Sequence, residues 1–143
     1  MNGSPLPDPA EAAELTSRLT ECGIEIDECR AWWTHADRTG SASLQEMFDG
    51  YWFGAKSLRR IGVLARSLRL RFDAYPAALR TLRRWPHMRP ETRRLVCHWH
   101  LQLADPLYRA FTGEFLPNRR LVPASAVTRA MVVDWVGQRT GDA

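Results

Sequence analysis

Six cationic side chains lie in the run GAKSLRRIGVLARSLRLRF, residues 54 to 72, which contains no acidic residue. Five of them are arginines, whose planar guanidinium groups offer forked donors that match the oxygens of a phosphate group. Cations on one helix face repel each other when no opposite charge lies between them, and an anionic ligand would relieve that repulsion. The run therefore predicts an anion-binding helix face. The alternative is a charged face that only keeps the helix solvated.

A helical projection of this run separates its cations from an apolar stripe. Arg59 and Arg66 lie opposite the stripe and the other cations lie on its flanks, so all six are expected to avoid the core. The flanking cations are Lys56, Arg60, Arg69 and Arg71. The stripe predicts the buried side of the helix and consists of Leu58, Ile61, Leu64, Ala65, Leu68 and Phe72.

Charge is segregated along the chain more sharply than the net value of +4 indicates. Residues 1 to 55 hold three arginines and ten acids, residues 56 to 94 hold twelve cations and two acids, and the remainder is close to neutral. Such asymmetry favours a polyanionic partner. The open alternative is that the acidic first third packs beside the basic middle in a compact bundle and partly neutralises it.

Further arginines follow the basic run. Arg80, Arg83 and Arg84 occupy positions i, i+3 and i+4 of one helix face, and Arg89, Arg93 and Arg94 follow around the next turn. If about six cations reach duplex phosphates, log K is expected to fall with log salt with a slope near −5. Among the six tryptophans, Trp85 is the candidate for base stacking because it adjoins Arg84. The other five, at helical spacing, are predicted to lie in the core.

The tetrapeptide CHWH, which begins at Cys97, is the nearest approach to a metal site. On a helix Cys97 and His100 share a face while His98 points elsewhere, and no second ligand pair follows at zinc-finger spacing. His35 and His87 lack a carboxylate at helical spacing, and no Gly-rich phosphate loop, GxSxG or HExxH motif is present. We therefore predict no catalytic residues, metal, cofactor or small-molecule substrate.

Caps, prolines and apolar periodicity predict helices and no strand. Asp8 begins a first helix that either runs on to residue 34 or breaks at Gly23. Ser43 and Glu46 form a capping box for a short second helix. Further helices are predicted at 55–72, 76–85, 90–104, 106–116 and 125–138. The chain is thus expected to be all-α, a compact bundle of about six or seven helices.

The length of 143 residues suits one domain. We predict a single helical domain at residues 8 to 143, preceded by a flexible N-terminus at residues 1 to 7. No stretch approaches the roughly 18 apolar residues needed to cross a bilayer, and no secretory signal is evident, which predicts a cytoplasmic protein. Cys22, Cys29 and Cys97 are an odd number without metal spacing, so they are predicted to be reduced core thiols.

Four segments carry a family resemblance: LTSRLTECGIEIDECRAWW (15 to 33), LQEMFDGYWFGAKSLRRIGVLARSLRLRF (44 to 72), LVCHWHLQLADPLYRAFTGEFL (95 to 116) and the closing ASAVTRAMVVDWV. Their most specific elements are the spacing of Gly23, Glu28, Arg30 and Trp33, the GAKS start of the basic helix, and the residues HLQLAD ahead of PLYRAF. Over roughly residues 14 to 138 the chain resembles the BrxA proteins of BREX (bacteriophage exclusion) systems.

The resemblance implies a small, all-helical, non-enzymatic component of a phage-defence system, similar in fold to the antitermination factor NusB and able to bind double-stranded DNA. It also implies action beside a methyltransferase, an ATPase and other BREX proteins. BrxA proteins commonly continue with a further helical segment of some tens of residues, so this chain is expected to be a short or truncated member.

Together, the charge pattern and the resemblance predict a surface between Lys56 and Arg94 that contacts duplex phosphates largely without sequence preference. One alternative is a protein-interaction module that docks an acidic partner within the defence complex. Another, by analogy of fold alone, is RNA binding. The predicted DNA-binding residues are Lys56, Ser57, Arg59, Arg60, Arg66, Arg69, Arg71, Arg80, Arg83 and Arg84.

Overall fold

The structure, a computed structural model, describes residues 22–123 and 126–141. Within these ranges the regular elements are helices and no strand occurs, which confirms the predicted all-α class. None of these helices is both long enough and apolar enough to span a membrane. The elements are α1 (Ile26–Thr34), α2 (Leu44–Asp49), α3 (Leu58–Phe72), α4 (Pro76–Arg83), α5 (Pro90–Ala104), α6 (Pro106–Ala110), a π-helical segment (Phe111–Phe115), α7 (Leu116–Arg120) and α8 (Arg129–Thr140).

Helix positions agree with the sequence predictions, and their ends differ by a few residues. The basic helix begins at Leu58 rather than residue 55, and the helix predicted at 106–116 continues through the π-helical segment to Arg120. The last helix begins at Arg129 rather than residue 125. Residues 22 to 25 are not helical, so α1 does not continue through Gly23. The predicted flexible N-terminus and the helix start at Asp8 lie outside the described residues.

Local side-chain hydrogen bonds set several helix starts. The Ser43 hydroxyl oxygen accepts from the Glu46 amide at 3.2 Å, and the Glu46 carboxylate accepts from the Ser43 amide at 2.7 Å. This reciprocal pair confirms the predicted capping box of α2. Ser57 caps α3 by accepting from the amide of Arg60, and Asp105 caps α6 in the same way. Each cap of this kind contributes about 1 kcal/mol to helix stability.

The core lies where α1, α3 and α5 pack together. The Trp32 ring stacks on Phe53 with centroids 6.4 Å apart, and Trp33 meets Phe72 edge-on at 6.1 Å. The apolar stripe of α3 is buried as predicted from Ile61 onwards, whereas Leu58 is 42% exposed. As the first residue of α3, Leu58 lies at the edge of the packed surface. The stripe residues that are buried are Ile61, Leu64, Ala65, Leu68 and Phe72.

Arg71 also lies in the core, contrary to the prediction that every cation of the basic run avoids it. Its side chain is 2% exposed, and its guanidinium donates to the backbone carbonyl oxygens of Gly23 at 2.7 Å and Ile24 at 2.8 Å. Because residues 22 to 25 are not helical, these carbonyls need donors from elsewhere in the fold. Arg71 is therefore a structural residue that fixes the chain entering α1, and its assignment as a phosphate contact is wrong.

A second group of aromatic rings joins α8 to the rest of the described chain. Phe111 stacks on Phe115 at 5.2 Å, and Trp135 of α8 packs against both rings at 5.8 Å and 5.3 Å. The Arg139 guanidinium donates to the carboxylate of Glu114 beside these rings. None of these residues belongs to the core cluster built around α3. The π-helical segment therefore provides the surface against which α8 packs.

His100 gives the fold a sensitivity to mild acid. Its Nδ1 donates to the carbonyl oxygen of Arg71 at 3.0 Å, and its ring packs 4.4 Å from the ring of Phe72. Burial lowers the pKa of His100, although the bond to the carbonyl opposes this shift. The unfolded chain then binds the proton more tightly than the folded chain, so stability is expected to fall as the pH drops below about 6.5.

Urea unfolding at a series of pH values between neutral and mildly acidic checks this prediction. The loss of stability in acid should shrink in His100→Gln and persist in His87→Gln, whose side chain is exposed in the wild type. An unchanged pH dependence in His100→Gln would contradict the assignment.

Candidate nucleic-acid interface

Arg59 and Arg66 form an exposed cationic pair on α3. The Ser57 cap starts the helix and the buried stripe fixes its rotation, so both guanidinium groups point away from the core. They are seven residues apart, which places them about 10 Å apart along the helix axis. Both are exposed, and neither has a hydrogen-bond or ion-pair partner within the part of the chain that the structure describes. Their predicted exposure on the side of α3 away from the core is confirmed.

Lys56 and Arg60, at the start of α3, are neutralised by α1. Lys56 Nζ lies 3.1 Å from the carboxylate of Glu28, and Arg60 Nη2 lies 2.6 Å from that of Glu25. Burial raises the pKa of Glu28, but its hydrogen bond to Lys56 and the charge of Lys56 outweigh this and lower the pKa overall. The neutralisation that the charge pattern left open therefore occurs at this end of the helix.

Arg69 and Arg71, near the end of α3, are directed inward. The Arg69 guanidinium lies over the ring of Trp32 at 5.9 Å from its centroid. Burial raises the pKa of Asp73, and the positive charge of Arg69 opposes that rise. Arg71 is buried among backbone carbonyls, so it cannot reach a ligand at the surface. Of the pair, only Arg69 retains partial exposure.

The arginines of α4 share their surface with carboxylates. Arg83 Nη1 lies 3.1 Å from the carboxylate of Asp37. Arg80 lines the same groove, of about 510 Å³, together with Asp37 and Asp73. Arg84, which follows the last residue of α4, is exposed and has no partner among the described residues. The three arginines therefore do not form one uniform cationic face, and Arg84 is the most available of them.

Ser57 has a structural role that its position explains. Its hydroxyl oxygen accepts from the amide of Arg60 at 3.2 Å and caps α3. A hydroxyl group that accepts one bond still has a proton to donate. Ser57 is exposed and can therefore donate to a phosphate near Arg59, but its first contribution is to the start of the helix.

A small pocket combines arginines that the sequence did not bring together. Arg30 of α1, Arg83 of α4 and Arg93 of α5 line a cavity of about 160 Å³ next to Trp85. Trp85 is 49% exposed, in agreement with its selection as a stacking candidate. Arg30 was missed as an anion-binding candidate because it lies in the acidic first third of the chain, away from the clustered arginines. We refer to this cavity as the Trp85 pocket.

The remaining sequence candidates show no catalytic grouping. His98 Nδ1 lies 2.8 Å from the phenolic oxygen of Tyr108, and His100 is buried. Within the described ranges no three His, Cys, Asp or Glu side chains are placed to hold a metal ion. Cys22, Cys29 and Cys97 are buried free thiols, as predicted.

Trp99 and Trp135 correct the expectation that every tryptophan except Trp85 lies in the core. Trp135 is half-buried against Phe111 and Phe115, outside the core cluster, and Trp99 lies at the surface. Its side chain is 65% exposed and borders a mostly apolar groove between α4 and α5. Its neighbour His100 is buried, because successive residues on a helix point about 100° apart. Trp99 is therefore a second exposed indole, in a different setting from Trp85.

Comparison with known proteins leaves the family open. No protein-family model matches the chain, and no curated protein or solved structure is significantly similar to it. The chemistry of the surface residues is therefore the basis for a function. Exposed guanidinium groups without carboxylate partners attract anions, phosphate groups among them.

Proposed function

We propose that the protein is a non-enzymatic DNA-binding component of a BREX-type bacteriophage defence system. The observation that carries the DNA-binding part is the Arg59 and Arg66 pair, exposed on α3 without a carboxylate partner in the described chain. Arg84, exposed and without a partner among the described residues, supplies a further cation. The contacts are to phosphates, so the binding depends little on base sequence.

The defence-system part of the proposal is supported by the BrxA-like segments of the sequence. The all-helical fold agrees with the fold that the resemblance implies. Other proteins of such a system are then the expected partners, in addition to double-stranded DNA. The proposed role is to hold DNA for those partners rather than to alter it.

Salt dependence of duplex binding tests the proposal. Of the predicted contacts, Lys56, Arg60 and Arg83 are paired with carboxylates and Arg71 is buried. Arg69 lies over Trp32, and Arg80 shares its groove with Asp37 and Asp73. With about three effective phosphate contacts left, at Arg59, Arg66 and Arg84, log K is expected to fall with log salt with a slope near −3 rather than −5. Fluorescence anisotropy of a labelled blunt duplex at several salt concentrations measures this slope. Failure to bind the duplex at low salt would contradict the proposal.

An acidic protein partner is the second candidate. The guanidinium groups of Arg59 and Arg66, which have no carboxylate partner in the described chain, bind carboxylates as readily as phosphates. Competition separates the two functions. Unlabelled duplex DNA should displace the labelled duplex at a lower concentration than polyglutamate or heparin does, when each competitor is compared at the same number of negative charges. The opposite order would favour a protein-interaction module, and equal displacement by RNA would favour a general polyanion site.

A further inference from the structure

The Trp85 pocket joins three helices at one small cavity. Arg30 comes from α1, Arg83 from the last turn of α4 and Arg93 from the first half of α5. Trp33 and Met88, both buried, also line the cavity, so its floor is apolar. The pocket is thus apolar at its base and cationic at its rim.

The rim carries more positive charge than the described chain neutralises. Asp37 pairs with Arg83 at 3.1 Å, while Arg93 donates only to the carbonyl oxygen of Met88 at 3.4 Å. Arg30 is exposed and has no side-chain partner among the described residues. One carboxylate therefore faces three guanidinium groups, and the pocket favours an anion.

An apolar floor beside an exposed indole favours a ligand that also has a flat aromatic part. Trp85 is 49% exposed, which leaves one side of its ring open for stacking. At about 160 Å³ the cavity is smaller than the roughly 300 to 1,000 Å³ of common small-molecule sites. It has room for one nucleobase, whose phosphate would lie outside the cavity at the cationic rim, and it is too small for a whole dinucleotide cofactor.

We propose that the Trp85 pocket binds one unpaired nucleotide of a DNA strand, with its base stacked on Trp85 and its phosphate held by Arg30 and Arg93. This inference rests on the proposed DNA-binding function. Stacking on an aromatic side chain tolerates every base, because each base has a π-face. The protein is then expected to prefer a duplex that ends in a short single-stranded overhang over a blunt duplex.

Two labelled probes test this inference, a blunt duplex and the same duplex with a short oligothymidine overhang. Wild-type protein should bind the overhang probe about 5-fold or more tightly than the blunt probe, and Trp85→Ala should remove that preference. Trp99→Ala is the matched control, since it removes another exposed indole and should keep the preference. Arg30→Ala provides a second variant, at an exposed position, should Trp85→Ala fold poorly.

The outcomes separate this inference from the function on which it rests. Equal binding of both probes by the wild type overturns the pocket assignment and leaves duplex binding intact. A preference that survives in both Trp85→Ala and Arg30→Ala also overturns it. Absence of blunt-duplex binding overturns the proposed function, whereas an overhang preference that depends on Trp85 would still support the pocket.

Discussion

Replacement of Arg71 by alanine is expected to lower the free energy of unfolding by about 3 to 5 kcal/mol. The guanidinium satisfies the carbonyl oxygens of Gly23 and Ile24, which the variant leaves without that donor in a buried environment. The substitution also leaves a cavity between α3 and the segment that enters α1. Urea unfolding followed by circular dichroism measures the change directly.

Arg66→Ala is the matched control for this prediction, because it removes the same side chain from an exposed position of the same helix. It should change the free energy of unfolding by less than about 0.5 kcal/mol. Arg71→Lys should fall between the two, since an ammonium group cannot reproduce the planar fork that reaches both carbonyls. A similar stability for Arg71→Ala and Arg66→Ala would show that Arg71 does not hold the fold together.

Loss of both charges in Arg59→Gln/Arg66→Gln is expected to weaken duplex binding by about 60-fold at 0.1 M salt. Counterion release gives a slope of about −0.9 for each phosphate contact, which corresponds to about 8-fold in affinity per contact at this salt concentration. The slope of log K against log salt should fall from near −3 to near −1 at the same time. Anisotropy titrations at several salt concentrations give both quantities.

The control variant is Lys56→Gln/Arg60→Gln, which removes the same formal charge from the start of the same helix. These two cations already pair with Glu28 and Glu25. Loss of these two charges should weaken duplex binding by less than about 5-fold. The remaining effect is long-range electrostatic attraction, which acts within a Debye length of about 10 Å. Equal losses in the two double variants would mean that only net charge matters, and the face of α3 would then not be a specific site.

Local sequence patterns correctly predicted the features that depend only on neighbouring residues. The capping box of Ser43 and Glu46 needs only four consecutive residues, and it forms as predicted. The apolar stripe of α3 follows from helical periodicity alone, and its members beyond Leu58 are buried. The helix at Pro90–Ala104 has the predicted limits, because its proline and the following Asp105 cap are both visible in the sequence.

Those local patterns did not predict the contacts between residues far apart in the chain. Arg69 and Arg71 both flank the stripe, and nothing near them indicates which one is buried. Arg71 is the buried one because the carbonyl oxygens of Gly23 and Ile24, some fifty residues away, accept hydrogen bonds from its guanidinium. Arg60 likewise pairs with a distant residue, Glu25, which lies 35 positions earlier in the chain. For this reason the sequence overestimated how many cations are available to a ligand.

The packing of α8 has a consequence for how stability is distributed through the described chain. Trp135 meets Phe111 and Phe115 apart from the core around α3, so the two aromatic groups are not parts of one packed unit. Proteins open in cooperative units that follow such boundaries. Release of α8 is therefore expected to cost the free energy of this small cluster and its neighbouring polar contacts, and to leave the cationic face of α3 folded. Substitutions in the C-terminal helix are then expected to be additive with substitutions in the proposed DNA surface.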